Sequence, residues 1–544
     1  ALADFDRAVA LDAGNAQIWN DRGQALTAAS RHLEALASYD RTLTLMPGHT
    51  QGRNNRGLAL EALGRGSEAL AEFDHVLALK PDHAGAWVNR GGVLRSQDRI
   101  DEALSSYDRA LAIDPDLPQA LSSRANLLWT RRGALNASIA DLERLVKIAP
   151  DYPYAAGDLL HLKMHAGDWT DFARSLAVLD EGVREGRRIV DPYAYQALSN
   201  SPADLLSCAR IYCDDRYPQQ PAVFTAQARQ AGRIRIGYVC GEFRDQATMI
   251  LAAGLFEHHD RARFEVIGFD NSRDDASAMR ARVISAFDEF VPIQSLSDQD
   301  AAALIAARKI DILVNLNGYF GALRMGVFAH HPATIQVNYL GFPGTLGAGY
   351  IDYILADAEV IRADEHRYFS AKVALLPQSY QINDDKRALA AATTRAEHGL
   401  SERDFVFCNF NYGYKILPGM FAAWMRLLAR VPGSVLWLLD SNPLFVGNLK
   451  AEAARHGIDP ARLVFAPRLE PRAHLSRLAL GDLFVDSLPY NAHTTASDAL
   501  WAGLPLVTCR GKAFPGRVAA SLLGAVGLGE LVTEDLDSYE ALAV

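Results

Sequence analysis

The segment Pro489 to Asp498 reads Pro-Tyr-Asn-Ala-His-Thr-Thr-Ala-Ser-Asp, between a predicted strand over 482–486 and the apolar run Ala499-Leu500-Trp501-Ala502. That order puts Thr494 and Thr495 at the first turn of a helix. The backbone N–H groups there have no intrahelical partner and face the positive end of the dipole. Such a turn, with His493 beside it, suits a pyrophosphate. Asp498, one turn in, can accept from a ribose hydroxyl. The plain alternative is ordinary capping by threonine and aspartate, and the spacing leaves both open. Asn411 to Lys415 follow a second predicted strand over 405–410. A lysine there either neutralises a departing diphosphate or is simply solvated. His474 and Arg477 share a predicted helix and either reach a nucleobase or ribose or form a polar helix face. Asn315 to Tyr319, with Asn317 and Tyr319, and Gly341 to Thr345, with Gly344 and Thr345, end two further strands. They either line a cleft, with Gly344 and Thr345 towards the donor and Asn317 and Tyr319 towards an acceptor, or make plain strand-to-helix turns.

The elements that must position these residues are β-rich runs separated by helical stretches. Such runs occur at 233–239, 265–269, 312–318, 335–341, 353–357 and 372–377, and again at 405–410, 434–439, 463–465, 483–485 and 504–507. Continuous apolar strands alternating with helices predict parallel sheets covered on both faces. Two sets, split near 385–404, predict two doubly wound lobes with a cleft at the carboxyl ends of their strands. The lobes are expected over 233–385 and 386–544, after a helical transition region over 151–232 with Pro218 and Pro221 in a linker.

Residues 1–150 are of a different kind. Phe5-Asp6, Tyr39-Asp40, Phe73-Asp74 and Tyr107-Asp108 recur every 34 residues, and Pro47, Pro81, Pro115 and Pro150 keep nearly that period. This is the tetratricopeptide pattern, an α solenoid of paired helices that serves as a binding surface. Gly23, Gly57, Gly91 and Ala125 mark close helix packing. Two residues before them stand Asp21, Asn55, Asn89 and Ser123, a face on which Asn55 and Asn89 are candidate hydrogen-bonding positions for an extended polypeptide; a solvated polar face is the alternative.

The bulk properties fit a globular multidomain chain. It has 544 residues, 49% hydrophobic and 22% charged, with a formal net charge of −10. The charge argues against nucleic-acid and anionic-membrane partners, and no run approaches a membrane span. Five scattered cysteines lack metal-type spacing and predict free thiols in a reducing, cytoplasmic setting. No metal site and no cofactor are expected. The chain opens at Ala1 on what reads as the second helix of a repeat and stops within a predicted helix, so both ends look cut.

Together these residues resemble the O-GlcNAc transferase family, from the repeats through Asp168-Trp169-Thr170-Asp171 to both lobes. The matching motifs, in order, are Gly237-Tyr238-Val239, Asn315 to Tyr319, Gln336, Leu340 to Thr345, Cys408 to Asn411 with Lys415, Val431 to Leu439, His493-Thr494-Thr495 with Asp498, and Arg517 to Ser521. The resemblance implies a GT-B fold of family 41 and an inverting, metal-independent transfer of a sugar from a nucleotide donor to Ser or Thr. It implies that His493, Thr494 and Thr495 hold the diphosphate and that Lys415 stabilises the leaving group. It also places Asp498 at the ribose and His474 and Arg477 near the uracil.

The chain departs from the pattern in four places. Gln246 stands where the family has a histidine proposed as base, Ile250 replaces a second histidine, Pro471 a lysine near the ribose, and Tyr412 an amide facing the phosphates. An amide cannot take a hydroxyl proton near neutral pH. The base is then a donor phosphate oxygen, or water relayed to Asp245 or Glu242. The expected function is transfer of N-acetylglucosamine from UDP to polypeptides gripped by the repeats. The alternatives are another donor, such as the GDP-fucose of SPINDLY-type relatives, a silent nucleotide-sugar-binding scaffold, or a transferase acting on lipid or glycan. The absence of an apolar interfacial helix speaks against lipid.

Overall fold

The computed structural model describes residues 2–224 and 232–544, and the chain divides into two compact units, Ala1–Ala155 and Ala156–Val544. The stretch 225–231 of the expected transition region lies outside the described residues.

The first unit is a single helix, Leu2–Leu11, followed by four helix pairs, from Ala16–Ala28 with His32–Leu45 to Pro118–Arg132 with Leu135–Ile148. Its period has a steric cause. A Cβ on Gly23 would lie 2.4 Å from the ring of Tyr39, and on Gly57 or Gly91 2.6 Å from Phe73 or Tyr107. Only glycine lets these helices close on the aromatic ring. It also has an electrostatic cause that the aromatic–aspartate spacing did not reveal. One arginine per repeat clasps the preceding and following helices. Arg22 donates to Asp6 and Ser38, Arg56 to Asp40 and Glu72, and Arg90 to Asp74 and Ser106. Arg124 donates to Asp108 and, with two bonds of 2.8 and 2.6 Å, to Asp141.

The expected polypeptide ladder is corrected here. Asn55 is buried; its Nδ2 donates to Asn20 at 3.1 Å and its Oδ1 accepts from Gln51 at 3.0 Å. Asn89 repeats the strut by donating to Asn54 at 3.0 Å. These carboxamides tie repeat to repeat because a buried amide must find partners. Asn89 alone of the two keeps part of its surface exposed.

The second unit opens with helices Phe172–Arg184 and Pro202–Arg216 and then forms two sheets. The first sheet has strands β1 Ile234–Cys240, β2 Phe264–Asp270, β3 Glu289–Pro292, β4 Ile312–Asn315, β5 Ile335–Asn338, β6 Tyr353–Ala356 and β7 Lys372–Leu375. The second has β8 Phe405–Asn409, β9 Ser434–Leu439, β10 Leu463–Ala466, β11 Leu483–Val485, β12 Leu506–Cys509 and β13 Val532–Thr533. All pairings are parallel, in the orders β3-β2-β1-β4-β5-β6-β7 and β10-β9-β8-β11-β12-β13. Each order reverses direction once, between β1 and β4 and between β8 and β11, and ligands of doubly wound sheets sit at such points. The predicted runs over 312–318 and 335–341 stop at Asn315 and Asn338; Asn315 Oδ1 accepts from the N–H groups of Asn317 and Gly318 and turns the backbone out of the sheet. Strands β3 and β13 escape the pattern because they are short edge strands, and β3 is exposed at both ends. Among the described residues no helix is long and apolar enough to cross a membrane.

The clasps differ in worth because their partners differ in burial. Asp141 is nearly enclosed, whereas Asp74 is more than half exposed. Arg124→Met should destabilise the array by about 3 kcal/mol by leaving Asp141 unpaired, and Arg90→Met by less than ~1 kcal/mol. Urea unfolding followed by circular dichroism checks the ranking; equal losses would contradict it.

Candidate functional site

Both reversal points are closed in the same way. In the first lobe the N–H of Gly241, just after β1, donates to Oδ1 of Asn317, after β4, at 2.8 Å. In the second, Nδ2 of Asn411, after β8, donates to Oγ of Ser487, after β11, at 3.0 Å. Each bond spans 76 residues. A carboxamide joins the two loops across each switch point, so Asn317 and Asn411 are struts of the site. Asn317 also donates to the carbonyl of Phe320, and Asn411 accepts from Thr495 Oγ at 2.7 Å. The expectation that Asn317 and Tyr319 contact an acceptor is corrected. Asn317 is buried and spent on backbone, and Tyr319 is a core residue whose hydroxyl donates to the carbonyl of Leu346 at 2.6 Å.

Lys415 follows β8 and is buried, and among the described residues no carboxylate is in hydrogen-bond contact with it. Its Nζ donates to the carbonyl of Asn491 at 3.0 Å and stands 3.8 Å from the ring centre of Tyr490. Burial pulls its pKa down to about 7, and the nearby charge of Asp486 resists the fall. Asp486 ends β11 and is pushed up to about 6 by burial, against bonds from the Ala492 and Ser487 N–H groups and the Thr508 hydroxyl. The lysine is therefore a poised cation: little solvated, weakly paired, and short of acceptors.

His493 precedes the helix Thr494–Trp501 and puts no side-chain cap on it. Its Nε2 lies 2.9 Å from the carbonyl of Pro515. A carbonyl only accepts, so Nε2 carries the hydrogen and Nδ1 keeps its lone pair. Burial, aided by the charge of Lys415, holds the ring well below the usual imidazole range, and it stays neutral. Among the described residues the first helical bonds are donated by the N–H groups of Ala496 and Ser497 to the carbonyl of His493. The N–H groups of Thr494 and Thr495 are left over for an anion.

Asp498 is buried and receives Arg387, which the sequence did not single out. Arg477 is fully enclosed. Its Nε donates to Nδ1 of His474 at 3.0 Å, its Nη1 to the carbonyl of Pro467, and its guanidinium stacks 4.7 Å from the centre of Phe410. The remaining nitrogen of His474 must carry the hydrogen; burial lowers that imidazole to about 3. Gly344 and Thr345 line a small apolar cavity shared with Phe514 and Pro515. The Thr345 hydroxyl accepts from the Ser370 N–H at 3.2 Å.

Gln246 caps the helix Ala247–Glu257, its Oε1 accepting from the N–H of Thr248 at 2.8 Å. Glu242 is buried and held by Arg244 and by the N–H of Ala322. Asp245 is exposed. The sequence reading also missed Asp486, Tyr490 and Asn491. Their signal was their place at the carboxyl end of β11, which holds Lys415 from the other side of the switch point.

The family model described as Glycosyl transferase family 41 matches residues 213–392 and 387–544, and that for a tetratricopeptide repeat matches 1–49 and 54–118. Over 409 residues the chain is 34% identical to a probable UDP-N-acetylglucosamine–peptide N-acetylglucosaminyltransferase SEC of Arabidopsis thaliana, covering 71% of this chain and 42% of that protein. It is 27% identical over 425 residues to a Caenorhabditis elegans protein named UDP-N-acetylglucosamine–peptide N-acetylglucosaminyltransferase, covering 57% and 37%. The chain thus spans less than half the length of these curated relatives. Among solved structures, a mutant of the Thermobaculum terrenum O-GlcNAc transferase matches with a TM-score of 0.61 at 25% identity, over 91% of this chain and 88% of that one.

Keeping Lys415 dry costs stability. Its folded pKa is depressed, so between about 7 and the ordinary lysine value the unfolded chain holds the proton more tightly. In that window stability rises with pH. The ε-carbon resonance of Lys415 should titrate near pH 7, and Asp486→Asn should move the midpoint lower. Lys415→Met should stabilise the fold at pH 7, by on the order of a few kcal/mol at most. A midpoint near 10 would remove this account.

Proposed function

The chain belongs to glycosyl transferase family 41, and on that footing we propose that it moves N-acetylglucosamine from UDP-N-acetylglucosamine to serine or threonine of polypeptides recruited by the repeats, with inversion at the anomeric carbon. The observation that carries this reading is Lys415, a buried ammonium with one carbonyl acceptor and no bonded carboxylate. It stands beside a helix N-terminus with unspent N–H groups. That arrangement is built for negative charge that appears during a reaction, since fixed donors in a dry site need no reorganisation when the charge forms.

In the transfer the acceptor hydroxyl oxygen attacks the anomeric carbon. The bond from that carbon to the diphosphate oxygen breaks, and the electron pair stays on the diphosphate. Lys415 and the N–H groups of Thr494 and Thr495 take up the charge, while His493 stays neutral and adds no competing cation. The hydroxyl proton goes to an oxygen of the departing phosphate. Two features of the chain support this last step. The Gln246 carbonyl is spent capping a helix, and Glu242 is paired with Arg244. Five free, buried cysteines suit a cytoplasmic setting.

Single-turnover transfer of radiolabelled sugar to a long Ser/Thr polypeptide tests the assignment. Lys415→Met should lower the rate by ~10²–10³, the usual cost of losing one preorganised donor. Gln246→His should change it less than about threefold, far short of the ~10²–10⁴ of an installed general base. A large gain in Gln246→His, from a wild type no faster than Lys415→Met, would show that the chain is a silent scaffold.

A further inference from the structure

Arg387 stands on the linker between the lobes, and its neighbours fix that linker to both. Before it, Asp384 receives two bonds from Arg282, at 2.6 and 2.8 Å, and Lys386 donates to Glu257 at 2.8 Å. After it, the carbonyl of Ala390 accepts from Ser476 Oγ at 3.1 Å. From this anchored position the side chain turns inward and is only 6% exposed. One terminal nitrogen, Nη2, donates to Oδ1 of Asp498, and the guanidinium lies 5.8 Å from the ring centre of Trp501. The other, Nη1, is buried and has no hydrogen-bond partner among the described residues.

A structural ion pair of this kind normally engages both nitrogens with both oxygens. Here one N–H group is buried and unspent, which is costly unless something supplies an acceptor. Oδ2 of Asp498 likewise receives no donor among the described residues. The pair therefore offers one acceptor and one donor side by side. Asp498 lies three residues beyond Thr495, about 4.5 Å further along the helix axis. With a diphosphate on the first turn, the group next to it in a nucleotide is the sugar; the base lies farther off.

Asp498 holds the ribose position that the family resemblance implies, and we propose that Arg387 is a second contact there, so that the pair reads the cis-diol of the donor's ribose. One hydroxyl donates to Asp498 Oδ2, and the oxygen of the other accepts from Arg387 Nη1. Arg387 is then a specificity-determining contact carried by the interlobe linker. This rests on the nucleotide-donor reading above.

The test is calorimetric titration with UDP, GDP, 2′-deoxy-UDP and 3′-deoxy-UDP at pH 8. Wild type should bind UDP about 10–100-fold more tightly than at least one of the deoxy analogues, since a lost hydroxyl leaves a buried polar group unpaired. Arg387→Met should shrink that ratio to less than about threefold, and Arg387→Lys should keep part of it. Thermal melting confirms that each variant is folded, and the wild-type ratio alone stands if one is not. A ratio unchanged in Arg387→Met, or tighter UDP binding by that variant, would show that the arginine merely closes the ribose position, and this inference alone would fall. Failure of both UDP and GDP to bind wild type would overturn the donor reading with it.

Discussion

Lys415 carries an ammonium where bulk water does not reach, and desolvation alone would strip its proton. Its surroundings hold that tendency at a balance point. The Asn491 carbonyl and the Tyr490 ring give it partial solvation, and Asp486 gives it a field without a bond. A bonded carboxylate would make a stable pair that a substrate phosphate must then break. The remaining features of the second lobe follow from protecting this balance. Asp486 is itself fixed by two backbone N–H groups and the Thr508 hydroxyl. Asn411 braces the loop after β8 against that after β11, and the Pro515 carbonyl fixes the tautomer of His493.

The two lobes are held around this point by polar contacts. Arg517, almost fully enclosed, spans from the second lobe to Glu365 of the first. Ser521 reaches Asp357 at 2.7 Å, and Gln381 reaches Ser497 at 2.6 Å. Polar contacts of this sort specify one arrangement because each group has few ways to be satisfied. The linker that carries Arg387 is tied down at both ends by the same kind of bond.

Much of this was legible in the sequence because it rests on short-range rules. A 34-residue period gives a solenoid, and apolar runs between helices give parallel sheets. A Thr-Thr pair between a strand and an apolar run gives an unfilled helix start. What stayed hidden depends on partners far apart in sequence. Nothing local says that Asn55 would be buried against Asn20, that Tyr319 would point into the core, or that Gln246 would become a cap. Asp486 and Asn491 look ordinary until β11 is laid beside β8. Arg387 sits in a stretch without periodicity, and only tertiary contact shows that it meets Asp498.

The struts and clasps of the repeats have a reach that the lobes do not share. Within the first unit the bonds of the arginine clasps join residues 16 or 17 apart, and the carboxamide struts join residues 35 apart. The bonds that complete the second unit's switch points must wait for partners 76 residues away. Loop closure of that length slows assembly, and parallel sheets carry the penalty more than helical arrays do. The array is thus suited to zip up repeat by repeat as it leaves the ribosome, while the lobes form only after most of their chain has been made. Because its contacts are local, the array can also gain or lose whole 34-residue units in evolution without disturbing the chemistry that follows.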